Sequence, residues 1–193
     1  FDTQKLNWLN QEYILKNIPE EELWDRIKEW SFQDDFMQKL IPLCRQRMKT
    51  FGDFMELTHF FFINDLHLTE DLLTPKSISP LQSSYLLQSL IWHMEEREAW
   101  NHSGMYTASK EVAQLFGVNH KKVVMPLLFA SLMGKKQGLP IFDSVELIGK
   151  ERTRARLLKA IQFMNVLSKK KLESLQKAWK NGSCSSLYEE AKC

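Results

Sequence analysis

The stretch PEEELWDRIKEWSFQDDFMQKLIPL, at residues 19–43, decides the fold class. Its apolar residues recur at spacings of three and four, first over residues 23–30 and again over 36–43, which is the period of an amphipathic helix. Pro19 precedes three glutamates and is typical of a helix start, because proline fits the first turn and carboxylates there meet the positive end of the helix dipole. The stretch therefore predicts two helices, and residues 6–13 predict a third before it.

Composition extends this prediction to the whole chain. Among 193 residues, 27 leucines outnumber the 23 valines, isoleucines and threonines taken together, and only seven glycines are present. Strand formers and hairpin turns are therefore scarce, and we predict an all-α protein, a helical bundle of two subdomains. Further helices are predicted over residues 51–63, 81–100, 107–116, 119–133 and 149–164. Residues 74–80, with two prolines, are the best candidate linker, and residues 181–186 have the composition of a loose tail.

Several classes of protein are excluded by simple counts. The chain is 44% hydrophobic and 26% charged, which is typical of a globular protein rather than a disordered one. No apolar run approaches the roughly 18 residues that span a bilayer, and we expect no export signal, because the first residues are not a basic stretch followed by an apolar one. Cys44, Cys184 and Cys193 form no CxxC pair, so we expect no zinc site and a reducing, cytoplasmic location. The chain begins with phenylalanine, which predicts a fragment of a longer protein.

The charges are unevenly distributed although the net charge is only +2. Residues 120–171 hold twelve lysines and arginines against three acids, while the remainder carries an excess of acids. A concentrated basic surface favours a polyanion such as RNA, because neutralised phosphates release their counterions. The arginines within residues 152–156 are spaced by two, which spreads them around a helix. A second basic cluster covers residues 45–49, where helix-dipole stabilisation is the alternative interpretation.

Nothing in the sequence predicts catalysis. His93, Glu96 and His102 lie close in sequence, but they lack the paired Glu-x-x-His pattern of metal-carboxylate bundles, so we interpret the histidines as surface or packing residues and expect no metal. Glycine-rich phosphate loops and nucleophile elbows are absent. The six tryptophans are interpreted as core or helix-crossing anchors. Two other hypotheses stay open: a helical adaptor that docks through exposed aromatic residues 60–62, and a metal-dependent hydrolase that uses the histidines.

Four motifs resemble bacterial-type glutamyl-tRNA synthetases in order and spacing. The first is Phe-Asp-x-x-Lys-Leu-x-Trp-x-Asn-x-x-Tyr-Ile at residues 1–14, and the second is LCRQRMKTF at 43–51. The third is MPLL at 125–128 and the fourth is LIGKER at 147–152. Together they cover all but the last 30 or so residues and resemble the C-terminal, anticodon-binding region of that family.

The resemblance implies a division of the chain into parts. Residues 1–15 would end the stem-contact region, 16–74 and 75–164 would form two helical anticodon-binding subdomains, and 165–193 would be an extension without a counterpart. The parent would be a class I aminoacyl-tRNA synthetase, a glutamate-tRNA ligase that uses ATP and Mg²⁺ in protein biosynthesis. The family's nucleotide-binding signatures are absent here, so we expect this piece to bind tRNA and hold no cofactor. The implied partner is tRNA(Glu), and tRNA(Gln) stays open as a second partner. Both the fragment and the parent enzyme are expected to be monomeric, and no membrane association is expected.

Specific RNA contacts also follow from the resemblance. Arg47 stands where the family places the arginine that reads the first anticodon base, and a guanidinium suits this task because it is a planar donor that also stacks on bases. Gly138 lies in the segment that touches the other anticodon bases and would let RNA approach closely. The complete set of expected RNA-binding residues is Arg45, Arg47, Lys49, Lys135, Lys136, Gly138, Leu139, Pro140, Ile141, Lys150 and Arg152. No catalytic residue is expected.

One position departs from the family pattern. Leu128 replaces the arginine of the family's Pro-Leu-Arg signature. We therefore expect a base contact to be lost or moved to Lys135 or Lys136, with looser anticodon selectivity and with Leu128→Arg narrowing it.

Overall fold

The computed structural model of the protein describes residues 2–192, so Phe1 of the first motif and Cys193 lie outside the description. Within that range the chain is helical and contains no strand, which confirms the all-α class. The α-helices are α1 (Thr3–Asn17), α2 (Glu20–Ser31), α3 (Asp34–Arg45), α4 (Gly52–Thr58), α5 (Glu70–Leu73), α6 (Pro80–Glu95), α7 (His102–Leu115), α8 (Met125–Met133), α9 (Ile141–Ile148), α10 (Lys150–Met164), α11 (Lys169–Lys180) and α12 (Cys184–Glu190). The chain divides into two compact units, residues 1–42 and 43–193.

The first unit contains α1, α2 and most of α3. The carboxylate of Asp2 caps α1 by accepting hydrogen bonds from the backbone N–H groups of Gln4 and Lys5, at 3.0 and 3.1 Å. Helix α2 begins directly after Pro19, as predicted. The apolar residues of α1 are distributed around the whole helix, so no single face can bury them all. Trp8 is consequently exposed. Trp24 and Trp30 of α2 are exposed too, and the prediction that these three tryptophans lie in the core is wrong.

Helix α6 forms the centre of the second unit and packs against α7 and α10. It begins with a capping box, in which Ser79 Oγ accepts from the Gln82 N–H at 3.1 Å and Gln82 Oε1 accepts from the Ser79 N–H at 2.9 Å. The prediction that this helix runs to residue 100 is wrong, because α6 ends at residue 95. The next helix also begins before the predicted residue 107, since Asn101 caps α7 through the N–H of Gly104 at 2.9 Å.

Helices α4, α8 and α10 lie close to their predicted positions, whereas α5, α9, α11 and α12 were not predicted. The predicted helix over residues 119–133 is a π-helical turn, His120–Val124, followed by α8. Gly134 ends α8 in the left-handed conformation, at φ 67°, as is typical of a glycine after a helix. Helix α10 begins at Lys150, one residue after the predicted start, and ends at the predicted residue 164. The predicted helix over 51–63 is α4 followed by a 3-10 turn, His59–Phe61.

The end of the chain is ordered, so the prediction of a loose tail is wrong. Helix α12 buries Cys184 and Tyr188. The backbone carbonyl of Tyr188 accepts a hydrogen bond from Gln82 Nε2 at 2.9 Å, and the carbonyl of Ala191 accepts one from Ser79 Oγ. The tail therefore packs against the start of α6, a long-range contact that composition alone does not indicate.

The candidate linker at residues 74–80 is a short ordered connection that includes a 3-10 turn, Pro75–Ser77. Helices α5 and α6 on its two sides are in contact, because Ser83 Oγ donates to the carbonyl of Leu73. The division of the chain into compact units falls between residues 42 and 43. The functional subdomain boundaries implied by the resemblance stay predictions. Among the described residues, no helix is long and apolar enough to cross a membrane.

Candidate nucleic-acid interface

Arg47 forms a hydrogen bond with Gly138, although 91 residues separate the two in sequence. Arg47 lies in the turn after α3, where its N–H bonds the carbonyl of Cys44 at 2.8 Å. Its Nη1 donates a hydrogen bond to the carbonyl oxygen of Gly138, and the side chain is otherwise exposed. The structure thus brings together two of the expected RNA-binding positions in one unit.

The turn that carries Arg47 and Lys49 is held by Asp53. One carboxylate oxygen, Oδ2, accepts from the backbone N–H groups of Lys49 and Thr50, at 2.6 and 2.8 Å. These hydrogen bonds, that from Thr50 first, lower the pKa of Asp53 because they stabilise its charged form. Arg45 and Lys49 have exposed side chains. The basic cluster 45–49 is therefore a solvent-facing turn with an ordered backbone.

Phe51 was missed by the sequence analysis and lies at the end of this basic turn. Its side chain is 95% exposed, the highest value among the exposed large hydrophobic residues. Single-stranded nucleic acids bind where a positively charged surface carries aromatic side chains on which bases stack. An aromatic residue two positions after an Arg-x-Arg-x-Lys cluster was the signal available in the sequence.

The segment with Gly138 is packed more tightly than the resemblance implies. A Cβ at Gly138 would lie 2.5 Å from Met133 Sδ, so a side chain of α8 occupies the space beside this glycine. Leu139 and Ile141 are buried in the core, whereas Pro140 is exposed. The surface of this segment consequently consists of the backbone around Gly138 and the ring of Pro140, and base contacts by Leu139 or Ile141 stay predictions that require movement.

Lys135 and Lys136 precede this segment and already have partners on the protein. Lys135 Nζ donates to the carbonyl of Glu56 at 2.8 Å. Lys136 Nζ lies 2.9 Å from Asp71 Oδ2, in an ion pair whose side chains are both largely exposed. Leu128 is only 1% exposed, so an arginine there would bury a charge rather than reach RNA. The expected effect of Leu128→Arg on anticodon choice stays a prediction that requires this part of α8 to rearrange.

The basic residues of α10 point in different directions, as their spacing predicts. Lys150 is exposed, and Arg154 pairs with Glu95. Arg152 is half-buried, and its Nη1 donates to the carbonyl of Phe61 at 2.6 Å. The structure therefore gives the guanidinium of Arg152 a bond within the protein, and its expected contact with RNA stays a prediction.

Arg156 is a buried structural residue that the sequence analysis did not single out. Its Nη1 donates to the carbonyl of Leu132 at 2.8 Å, and its Nη2 donates to those of Phe60 and Ile63. Burial, and then the neighbouring charge of Arg152, lower the pKa of Arg156 to about 10, which still leaves it charged at neutral pH. The sequence carried a signal for this burial. Arg156 lies three residues after Thr153 and four residues before Ala160, on the face of α10 that packs against the core.

The two other hypotheses lose their structural basis. Phe60 and Phe61 are buried, so residues 60–61 do not form the exposed docking patch that an adaptor would use. His93 accepts from Trp179 Nε1 at 3.1 Å, and His102 lies 3.0 Å from Asp143. Over residues 2–192, no group of three potential ligands is placed to hold a metal ion.

This helical fold, with an exposed arginine and a basic turn, has the features of an RNA-binding module. A family model for the anticodon binding domain matches residues 22–161, and the chain belongs to this family. It is similar to the glutamate-tRNA ligase of Protochlamydia amoebophila, with 61% identity over 95% of this chain and 36% of the relative. The ligase of Chlamydia muridarum is 40% identical over 92% of the chain and 35% of its own length.

Solved structures agree with these relatives. A glutamate tRNA ligase from Elizabethkingia meningosepticum, crystallised in complex with its amino acid, superposes with a TM-score of 0.62 at 27% identity, over 85% of this chain and 33% of that one. A glutamate-tRNA synthetase from Elizabethkingia anophelis shares the fold, with a TM-score of 0.55. The chain thus spans about a third of the length of the relatives it matches.

Proposed function

We propose that this chain is the anticodon-binding part of a glutamate-tRNA ligase and that it binds the anticodon loop of tRNA(Glu). The contact between Arg47 and the carbonyl of Gly138 carries this proposal, because it joins two motif segments into one exposed surface. The membership in the anticodon binding domain family and the similarity to glutamate-tRNA ligases support it.

The geometry suits the reading of unpaired bases. A guanidinium has five N–H donors in a plane, and Gly138 engages Nη1 of Arg47, which leaves donors for the edge of a base. The bond to Gly138 also limits the orientations of the side chain, which lowers the entropy lost on binding. Phe51 offers an exposed ring for stacking, and Arg45 and Lys49 add positive charge for phosphates.

The remaining steps belong to the parent enzyme. We propose that the other two thirds of the ligase hold ATP and Mg²⁺ and attach glutamate to the tRNA, since this chain covers 36% of its relative. We also propose that the protein acts in the cytoplasm as a monomer. The buried thiol of Cys184 fits a reducing compartment. Sedimentation of the tRNA complex tests the stoichiometry.

Replacing Arg47 tests the proposed function directly. We expect Arg47→Ala to weaken binding to tRNA(Glu) by about 1 to 3 kcal/mol, or roughly 5- to 150-fold in Kd, because a specific base contact is lost. The measurement is a titration of labelled tRNA with the 193-residue chain, with helicity followed by circular dichroism.

Arg154→Ala is the matched control, because it removes an exposed guanidinium from an ion pair on α10. It should leave tRNA affinity close to that of the unsubstituted chain. Equal losses for Arg47→Ala on tRNAs with scrambled anticodons would contradict anticodon reading. A parallel titration with tRNA(Gln) measures discrimination, and equal affinity for the two tRNAs would show that the chain does not distinguish them.

A further inference from the structure

A surface cleft lies between the segment that follows α5 and the start of α8. Its volume is about 420 Å³, within the range of roughly 300 to 1,000 Å³ that is typical of ligand sites. Lys76, Lys122 and Lys136 line it, and Asp71 is its one acidic residue. No aromatic side chain is among the described residues that line the cleft, so it offers positive charge without a stacking surface for a base.

The positive charge in the cleft is only weakly compensated. Asp71 pairs with Lys136, but both side chains are more than 70% exposed, and an ion pair of this kind contributes little and exchanges readily. Among residues 2–192, neither Lys76 nor Lys122 forms an ion pair with a carboxylate. Three ammonium groups around one cleft repel each other, and an anion bound between them would offset that repulsion.

Lys76 and Lys122, the two lysines without an ion pair, both have backbones held in ordered turns. Lys76 has φ 59° and ψ 29°, in the left-handed region that residues with a Cβ rarely adopt. The N–H of Lys122 donates to Asn119 Oδ1 at 2.9 Å, which caps the π-helical turn. Because both lysines extend from ordered turns, less entropy is lost when they engage a ligand.

We infer that this cleft binds backbone phosphates of the tRNA strand beside the anticodon loop. The inference rests on the proposed function, and it adds a phosphate site to it. Lys136 belongs to the same connection between α8 and α9 as Gly138, whose carbonyl binds Arg47. The cleft is therefore continuous in sequence with the proposed anticodon surface. Contacts to phosphates position an RNA and are independent of base sequence.

The double substitution Lys76→Gln with Lys122→Gln tests this site in the 193-residue chain. Each phosphate contact contributes about 0.7 to the slope of log affinity against log salt. We therefore expect the slope to decrease by about 1.4, and the affinity for tRNA(Glu) at 0.1 M salt to fall about 25-fold. The loss should be the same for tRNAs with scrambled anticodons, in contrast to that of Arg47→Ala.

The matched control is Lys177→Gln with Lys180→Gln, which removes two exposed charges from α11. It should keep the original slope. If the unsubstituted chain binds tRNA and the cleft variant has the slope of this control, the phosphate site is wrong while the proposed function stands. If the unsubstituted chain does not bind tRNA at low salt, both are wrong. Each lysine substituted singly should give half the change in slope, which separates the site from a folding defect.

Discussion

At the scale of single residues, Phe51 is the most exposed candidate for contact with a base. An isolated apolar side chain on a surface is ordinary, but this one lies two residues after Lys49, at the end of the basic turn that carries Arg47. Base stacking on an aromatic ring contributes about 1 to 3 kcal/mol by alanine substitution. We expect Phe51→Ala to weaken tRNA(Glu) binding by that amount without lowering the unfolding temperature, because the ring is 95% exposed.

Phe163 provides the comparison, since it is also an exposed phenylalanine, at 51%, and lies on α10. Phe163→Ala should leave the affinity unchanged. Phe51→Trp should retain binding, because the indole also stacks, whereas Phe51→Leu should behave like the alanine variant. Full affinity in Phe51→Leu would show that the position supplies apolar contact and no stacking.

At the scale of elements, Arg156 ties α10 to the 3-10 turn at residues 59–61 and to the end of α8. Its guanidinium binds three backbone carbonyls, and removing it would leave these buried acceptors unpaired. Each such loss costs about 1 to 3 kcal/mol, and relief from burying a charge offsets part of the sum. We expect Arg156→Met to lower the free energy of unfolding by about 2 to 4 kcal/mol, measured by urea denaturation.

The same helix contains its own control in Arg154, whose ion pair with Glu95 is exposed. Arg154→Met should cost less than about 1 kcal/mol. Equal urea midpoints for the two methionine variants would mean that the buried guanidinium contributes nothing beyond the volume it fills.

At the scale of the whole molecule, the last helix closes the second unit by returning to the start of α6. Tyr188 is buried, and its ring packs edge-on against Phe116 with centroids 5.6 Å apart. Burial raises the pKa of Tyr188 to about 12, and within the described chain its hydroxyl has no hydrogen-bond partner. We expect Tyr188→Ala to lower the free energy of unfolding by about 3 kcal/mol, because a buried ring is lost.

Tyr188→Phe separates the ring from the hydroxyl. Since an unpaired buried hydroxyl is costly, the phenylalanine variant should be more stable than the unsubstituted chain by about 1 kcal/mol. Thermal unfolding followed by circular dichroism compares the two variants. A phenylalanine variant less stable than the original would reveal that the hydroxyl is satisfied in solution, and an unaffected alanine variant would show that α12 is not docked.

The sequence by itself determined the helical class, the positions of α2, α8 and α10, and the membership in an anticodon-binding family. These depend on apolar periodicity, capping residues and motif spacing, which are local properties of the chain. The same local signals misplaced the tail, because its backbone carbonyls accept hydrogen bonds from Ser79 and Gln82, more than 100 residues away. They also misplaced the end of α6, which ends at residue 95, shortly before Asn101 caps the next helix.

Only the tertiary structure decided how the basic residues are used. Arg47 and Arg156 have the same side chain, yet one lies in a solvent-facing turn and the other binds carbonyls in the core. Leu139 and Ile141 were expected to contact RNA because of their positions in the family pattern, but packing buries both. Whether a charge or an apolar group faces solvent depends on which distant segments cover it, and this follows from the packing of the whole chain rather than from any local pattern.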